Sequence, residues 1–136
     1  MSRKKGKSSE KIVTDEEFKT LLEFCKRSRQ PVEYRFVLIS AGRLGLRVGE
    51  IAHFKKSWVD YDAKIIKIPD HEPCCCRYCK TSYKLMTKKK KVSDDEVLKN
   101  RWNPKTENSA RSIYYGFDDE VVEAIESYFE IYDEWP

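Results

Sequence analysis

The stretch Leu44–Phe54 reads LGLRVGEIAHF, and it sets an arginine between a glycine-rich bend and the start of a helix. Gly42 and Gly45 are residues that end a preceding helix, whereas a third, short one starts around Val48 and runs through Glu50, Ile51 and Phe54. Arg47 then lies at or just before the positive end of that helix. A guanidinium held at such a bend can meet two oxygens of one phosphate with its planar fork. The simpler possibility is an arginine that caps the helix or pairs with Glu50.

Working outward, Pro31 suits the first turn of a helix whose Tyr34, Val37, Leu38 and Ala41 lead to Gly42. Before it, Thr14 with Glu17 three residues on forms a capping box, and Phe18, Leu21, Leu22 and Cys25 recur at helical spacing to about Arg29. Downstream, Trp58–Tyr61, the pair Asp62-Ala63 and Lys64–Ile68 predict two short strands and a tight connection, stopped by Pro69 and Pro73. Arg111–Tyr115 predicts a third strand after a polar turn over Pro104–Ala110. Asp118 to about Tyr132 predicts a closing helix with the stripe Val121, Val122, Ile125, Tyr128, Phe129 and Tyr132. Between the strands, residues 70–102 lack periodicity and read as an insertion, partly helical near Asp94–Lys99. The sum is an α+β fold, mainly helical with a small antiparallel β-sheet, over residues 12–136.

The chain has 136 residues, 40% of them hydrophobic and 37% charged, with a mean hydropathy of -0.74. That is room for one modest domain and excludes a large multidomain enzyme. No apolar run approaches the roughly 20 residues of a membrane-spanning helix. Residues 1–11 are basic and polar, the composition of a disordered arm, and lack the apolar stretch of a secretory signal. A cytoplasmic location follows as the expectation. The net charge of +4 hides a split, since Asp118–Pro136 holds eight of the 23 acids and no lysine or arginine. Residues 1–117 therefore carry +12, a balance that points to a polyanion, with nucleic acid ahead of an anionic membrane surface. Arg43, Lys55, Lys56, Arg111 and the tract Lys84–Lys91, including Lys88, Lys89 and Lys90, are the candidate phosphate contacts. A merely solvated basic surface is the plainer account.

Four of the five cysteines fall between Cys74 and Cys79. That clustering differs from the dispersed set of a disulfide-stapled secreted domain and suits a reducing compartment. His71, Cys74, Cys76 and Cys79, spaced H-x2-C-x-C-x2-C, supply enough donors for a tetrahedral structural Zn(II), with Cys75 spare. The alternative is a set of reduced thiols in a flexible loop. His53 reads as a packing or capping residue at the end of the third helix, and Cys25 as a small core residue.

Three of these segments together resemble the tyrosine recombinases or phage integrases, more narrowly their archaeal members. Gly45, Leu46, Arg47, Gly49, Glu50 and Ile51 match the family's G-hydrophobic-R-x-x-E-hydrophobic motif. PKTENSARSI, Pro104–Ile113, is similar to its lysine-bearing hairpin. HEPCCCRYC, His71–Cys79, with Arg101-Trp102 beyond it, is similar to an insertion of the archaeal branch. The resemblance implies a partial recombinase catalytic domain, double-stranded DNA as partner, and a mobile element or virus as source. By the same resemblance, Arg47 is the first catalytic arginine, Lys105 the general acid and Glu50 the support for the arginine's orientation, with no catalytic metal.

The resemblance runs from about Val13 and reaches the first half of the family's domain. Neither His53 nor His71 has an arginine three residues later, and Tyr128 and Tyr132 lie on the apolar stripe of the last helix, where core packing accounts for them. With no second arginine and no nucleophile assigned, this polypeptide alone is expected to form no covalent DNA adduct. A complementary C-terminal fragment or other recombinase subunits would then be partners. The alternative is a noncatalytic DNA-binding or assembly module that modulates recombination. A zinc-stabilised protein-interaction module without DNA affinity is a third reading.

Overall fold

The computed structural model describes residues 12–74, 76, 77, 79, 81, 102 and 110–134. The arm over 1–11, the helix expected over 94–99, Cys75, the lysine tract and Lys105 lie outside them. Among the described residues there are four helices and one three-stranded sheet, in the order α1 (Asp15–Lys26), α2 (Pro31–Gly42), α3 (Val48–Ala52), a 3-10 turn at Lys56–Trp58, β1 (Val59–Asp60), β2 (Ile65–Ile68), β3 (Arg111–Tyr114) and α4 (Asp119–Ile131). The fold class is α+β and mostly helical, as the patterning predicts. None of the described helices is long and apolar enough to cross a membrane.

Each helix starts where its chemistry allows. The Thr14 hydroxyl accepts from the Glu17 backbone N–H at 3.2 Å, and the Asp118 carboxylate does the same for Glu120 at 2.8 Å. Pro31 fills the first position of α2, where no amide donor is needed. On α1 the buried stripe is Phe18, Leu22 and Cys25, while Leu21 faces solvent, and the helix stops at Lys26, short of Arg29. The face of α2 departs further from its expected stripe. Phe36, Ile39 and Ser40 are buried, Val37 and Leu38 partly so, and Tyr34 and Ala41 are exposed. Apolar residues surround α2 on nearly every side, so periodicity could not select its inner face.

The core lies between α2 and α4. Phe36 is fully buried, its ring stacked on Tyr128 with centroids 3.8 Å apart and set edge-on to Phe129 at 5.5 Å. Val121, Ala124 and Ile125 complete the inner face of α4. The sheet runs β1-β2-β3, all antiparallel, with Val59 opposite Ile66 and Ile66 opposite Ile113. Lys64 takes a left-handed φ of 58° to close the turn into β2, and its ammonium pairs with Glu126 of α4.

At the end of α2 the packing is tight enough to forbid a methyl group. A Cβ on Gly42 would fall 2.3 Å from a ring carbon of Phe18, so the ring would have to leave the core. Gly42→Ala is expected to destabilise by about 1–3 kcal/mol, read as a lower urea midpoint at unchanged slope.

Candidate metal centre and the Arg47 bend

Gly45 adopts a left-handed φ of 66°, the conformation that suits glycine, and turns the chain from α2 into α3. The Leu46 N–H then bonds back to the Ser40 carbonyl at 2.9 Å. Arg47 follows as the N-cap of α3 with an exposed side chain. Its backbone N–H donates to Glu50 Oε1 at 2.9 Å.

Glu50 is the joint of this region. Its side chain is 1% exposed, yet both carboxylate oxygens accept from the Arg111 guanidinium of β3, at 2.6 Å and 2.9 Å. Burial alone would raise its pKa. The Arg111 fork, the Arg47 amide and both positive charges outweigh burial and hold the carboxyl below its ordinary value. Arg111 is correspondingly raised, chiefly by its bonds to Glu50. Glu50 thus ties the backbone of Arg47 to the sheet, and its side-chain partner is Arg111.

Several of the cations expected to face phosphate are engaged internally. Arg43 pairs with Asp15 at 2.8 Å and lies 4.5 Å over the Phe18 ring. Lys55 pairs with Glu72 at 2.7 Å, and Arg111 is held by Glu50. Lys56 is exposed. Lys88, Lys89, Lys90 and Lys105 lie outside the described residues. Tyr128 is a core group whose phenol is raised by burial, and Tyr132, partly buried at the C-cap of α4, is raised by donating to Glu33 at 2.6 Å.

Cys74, Cys76 and Cys79 converge, but with His53 rather than His71. The donor atoms of His53, Cys74, Cys76 and Cys79 all lie within 4.8 Å of one another. His53 Nε2 is 3.3 Å from Cys79 Sγ and 3.7 Å from Cys76 Sγ. Bond lengths of about 2.3 Å to sulfur and 2.0–2.1 Å to nitrogen put these atoms about 3.6 Å apart on a tetrahedral Zn(II). His53 caps α3, and its Nδ1 sits 2.7 Å from the Gly49 carbonyl oxygen. A proton on Nδ1 satisfies that carbonyl and leaves the Nε2 lone pair facing the sulfurs, the usual second-shell arrangement of a metal-bound imidazole. The ring is stacked on Trp102, centroids 4.7 Å apart. His71 instead turns its Nδ1 to Asp70 at 2.9 Å.

The hairpin explains the exchange of histidines. Val59 faces Ile66 and Asp60 faces Ile65, so the chain after β2 runs back alongside the segment that precedes β1, the 3-10 turn at Lys56–Trp58. The chain leaving β2 therefore returns beside the end of α3, and Lys55–Glu72 and Trp58 Nε1–Glu72 contacts hold it there. Backbone N–H groups of Cys76 and Cys79 donate to the sulfurs of Cys74 and Cys76, each at 3.4 Å. Partial burial opposes ionisation of Cys76, but the Cys79 amide, the Cys74 and Cys79 thiols and His53 together bring it down to about 6. Burial pushes Cys74 up. The four donors fit a metal ion such as zinc, since a borderline cation prefers thiolate and imidazole.

Comparison with protein-family models, curated proteins and solved structures gave no match.

Proposed function

We propose that this chain is a DNA-binding module of the tyrosine-recombinase type, in which Arg47 contacts a backbone phosphate and a structural Zn(II) orders the insertion between β2 and β3. The observation that carries the reading is the buried Glu50 carboxylate, which joins the Arg47 backbone to Arg111 and fixes where the exposed Arg47 side chain emerges. The +12 balance of residues 1–117 supplies the wider attraction to a polyanion. Lys105, on the connection into β3, is the second cation that the resemblance brings to the same phosphate, as general acid. With three thiolates and one imidazole filling all four positions, the zinc is structural and takes no part in chemistry on DNA.

Duplex binding measured by fluorescence anisotropy across a salt series tests the reading. Binding that weakens steeply with salt is expected. Arg47→Ala should weaken it about tenfold, the scale of one charge-assisted bond, and reduce the log-log salt slope by about 1. Salt-independent binding, or none, refutes the assignment. On a nicked suicide substrate the 136-residue chain should form no covalent adduct, and an adduct would show a nucleophile within this sequence.

A further inference from the structure

Helix α3 has five residues, far fewer than an isolated helix needs to be stable. Its geometry is set by what grips its ends. At the first turn, Glu50 is gripped by Arg111 of β3. At the last, His53 faces the three cysteine sulfurs and stacks on Trp102, whose Nε1 lies 3.7 Å from where a Gly49 Cβ would sit. Arg47 and the thiol cluster therefore share one short, doubly held element.

We infer that the metal held by His53, Cys74, Cys76 and Cys79 regulates the affinity of the Arg47 bend for phosphate, acting as a staple between the insertion and α3. The inference rests on Arg47 being a phosphate ligand. With the metal bound, four bonds to one ion fix the His53 ring, and the ring's Nδ1–H holds the Gly49 carbonyl inside α3. Without it, Cys76 and Cys79 are joined to His53 by weak hydrogen bonds. The cysteine segment and the Trp102 stack can then part from α3, leaving the bend anchored by Glu50 and by the core packing of Ile51 and Phe54, without the clamp on His53. Arg47 samples more orientations, and each phosphate contact must first restrict them. His53 is thus a positioning residue for Arg47.

Linkage makes the claim reciprocal: if metal tightens DNA binding by a factor, DNA tightens metal binding by the same factor. The full chain loaded with Co(II) gives thiolate charge-transfer and tetrahedral d–d bands that report occupancy directly. Removing the metal with a chelator is expected to weaken binding of a short duplex about tenfold, within the usual range of coupling between sites. Readdition should restore it, and saturating duplex should tighten Co(II) binding by the same factor. His53→Gln and Cys76→Ser should each lose the Co(II) bands and bind duplex like the metal-free protein, with far-UV circular dichroism showing that the fold persists. His71→Ala should behave as the parent in both assays.

Equal duplex affinity with and without metal overturns the coupling while leaving Arg47 as a phosphate ligand. Absence of duplex binding even in the metal-loaded protein overturns the Arg47 reading, and the coupling with it. Failure of the parent chain to develop the Co(II) bands overturns the site.

Discussion

Glu50→Ala is expected to destabilise the fold by about 3–5 kcal/mol, because it strips the partner from a partly buried guanidinium and leaves the Arg47 amide without its acceptor. Domain stabilities are of order 5–15 kcal/mol, so this loss is a large share of the whole. Urea unfolding followed by tryptophan fluorescence measures it. Glu50→Gln keeps one oxygen for Arg111 and the shape of the side chain, and should lose distinctly less. An equal loss in both variants would mean that charge, not filling or hydrogen bonding, holds the joint.

The same pair predicts a pH profile. The folded carboxyl of Glu50 lies below its ordinary value near 4.5. A depressed acid contributes stability that is fully present above the unfolded value and disappears as pH falls through the folded one. Stability should therefore drop from about pH 4.5 downward in the parent, with a shallower drop in Glu50→Gln.

Phe36→Ala is the second large effect, expected at about 3–5 kcal/mol. The ring is completely buried and meets three others: Tyr128 at 3.8 Å, Phe54 at 5.4 Å and Phe129 at 5.5 Å. Truncation removes apolar contact and leaves a cavity bounded by α2 and α4, two rigid helices that close over it only partly. The urea midpoint should fall with little change in slope. Phe24→Ala offers the contrast, since that ring on α1 is 64% exposed and its loss should stay within about 0.5 kcal/mol. Similar losses at both positions would show that the α2–α4 seam is not where the stability resides.

Local chemistry made the element order readable from the sequence. Thr14, Pro31, Gly45 and Asp118 each mark a boundary through a specific backbone need, and the boundaries fall at or beside those residues. The isoleucines of β2 and the stripe of α4 announced buried faces by their spacing. The inner face of α2 was not legible, because its apolar residues leave no polar side to contrast with. The metal ligands were legible by type, and three by number. The fourth was assigned to the histidine nearest in sequence, whereas the fold brings the chain after β2 back to His53 at the end of α3. Glu50 was read as the partner of Arg47. It reaches that residue's backbone, while its charge is answered by Arg111, and only the pairing of β2 with β3 brings Arg111 within reach.

One backbone bridge, Glu72 opposite Trp102 with bonds of 2.8 Å and 3.0 Å, closes the excursion between β2 and β3 at its base. With that clasp in place, the two ends of the excursion are already joined before the third strand begins. In polymer terms, each doubling of the length enclosed by such a closure adds only about 0.6 kcal/mol of entropy. The alignment of β3 against β2 therefore depends on the clasp and little on how many residues the clasp encloses.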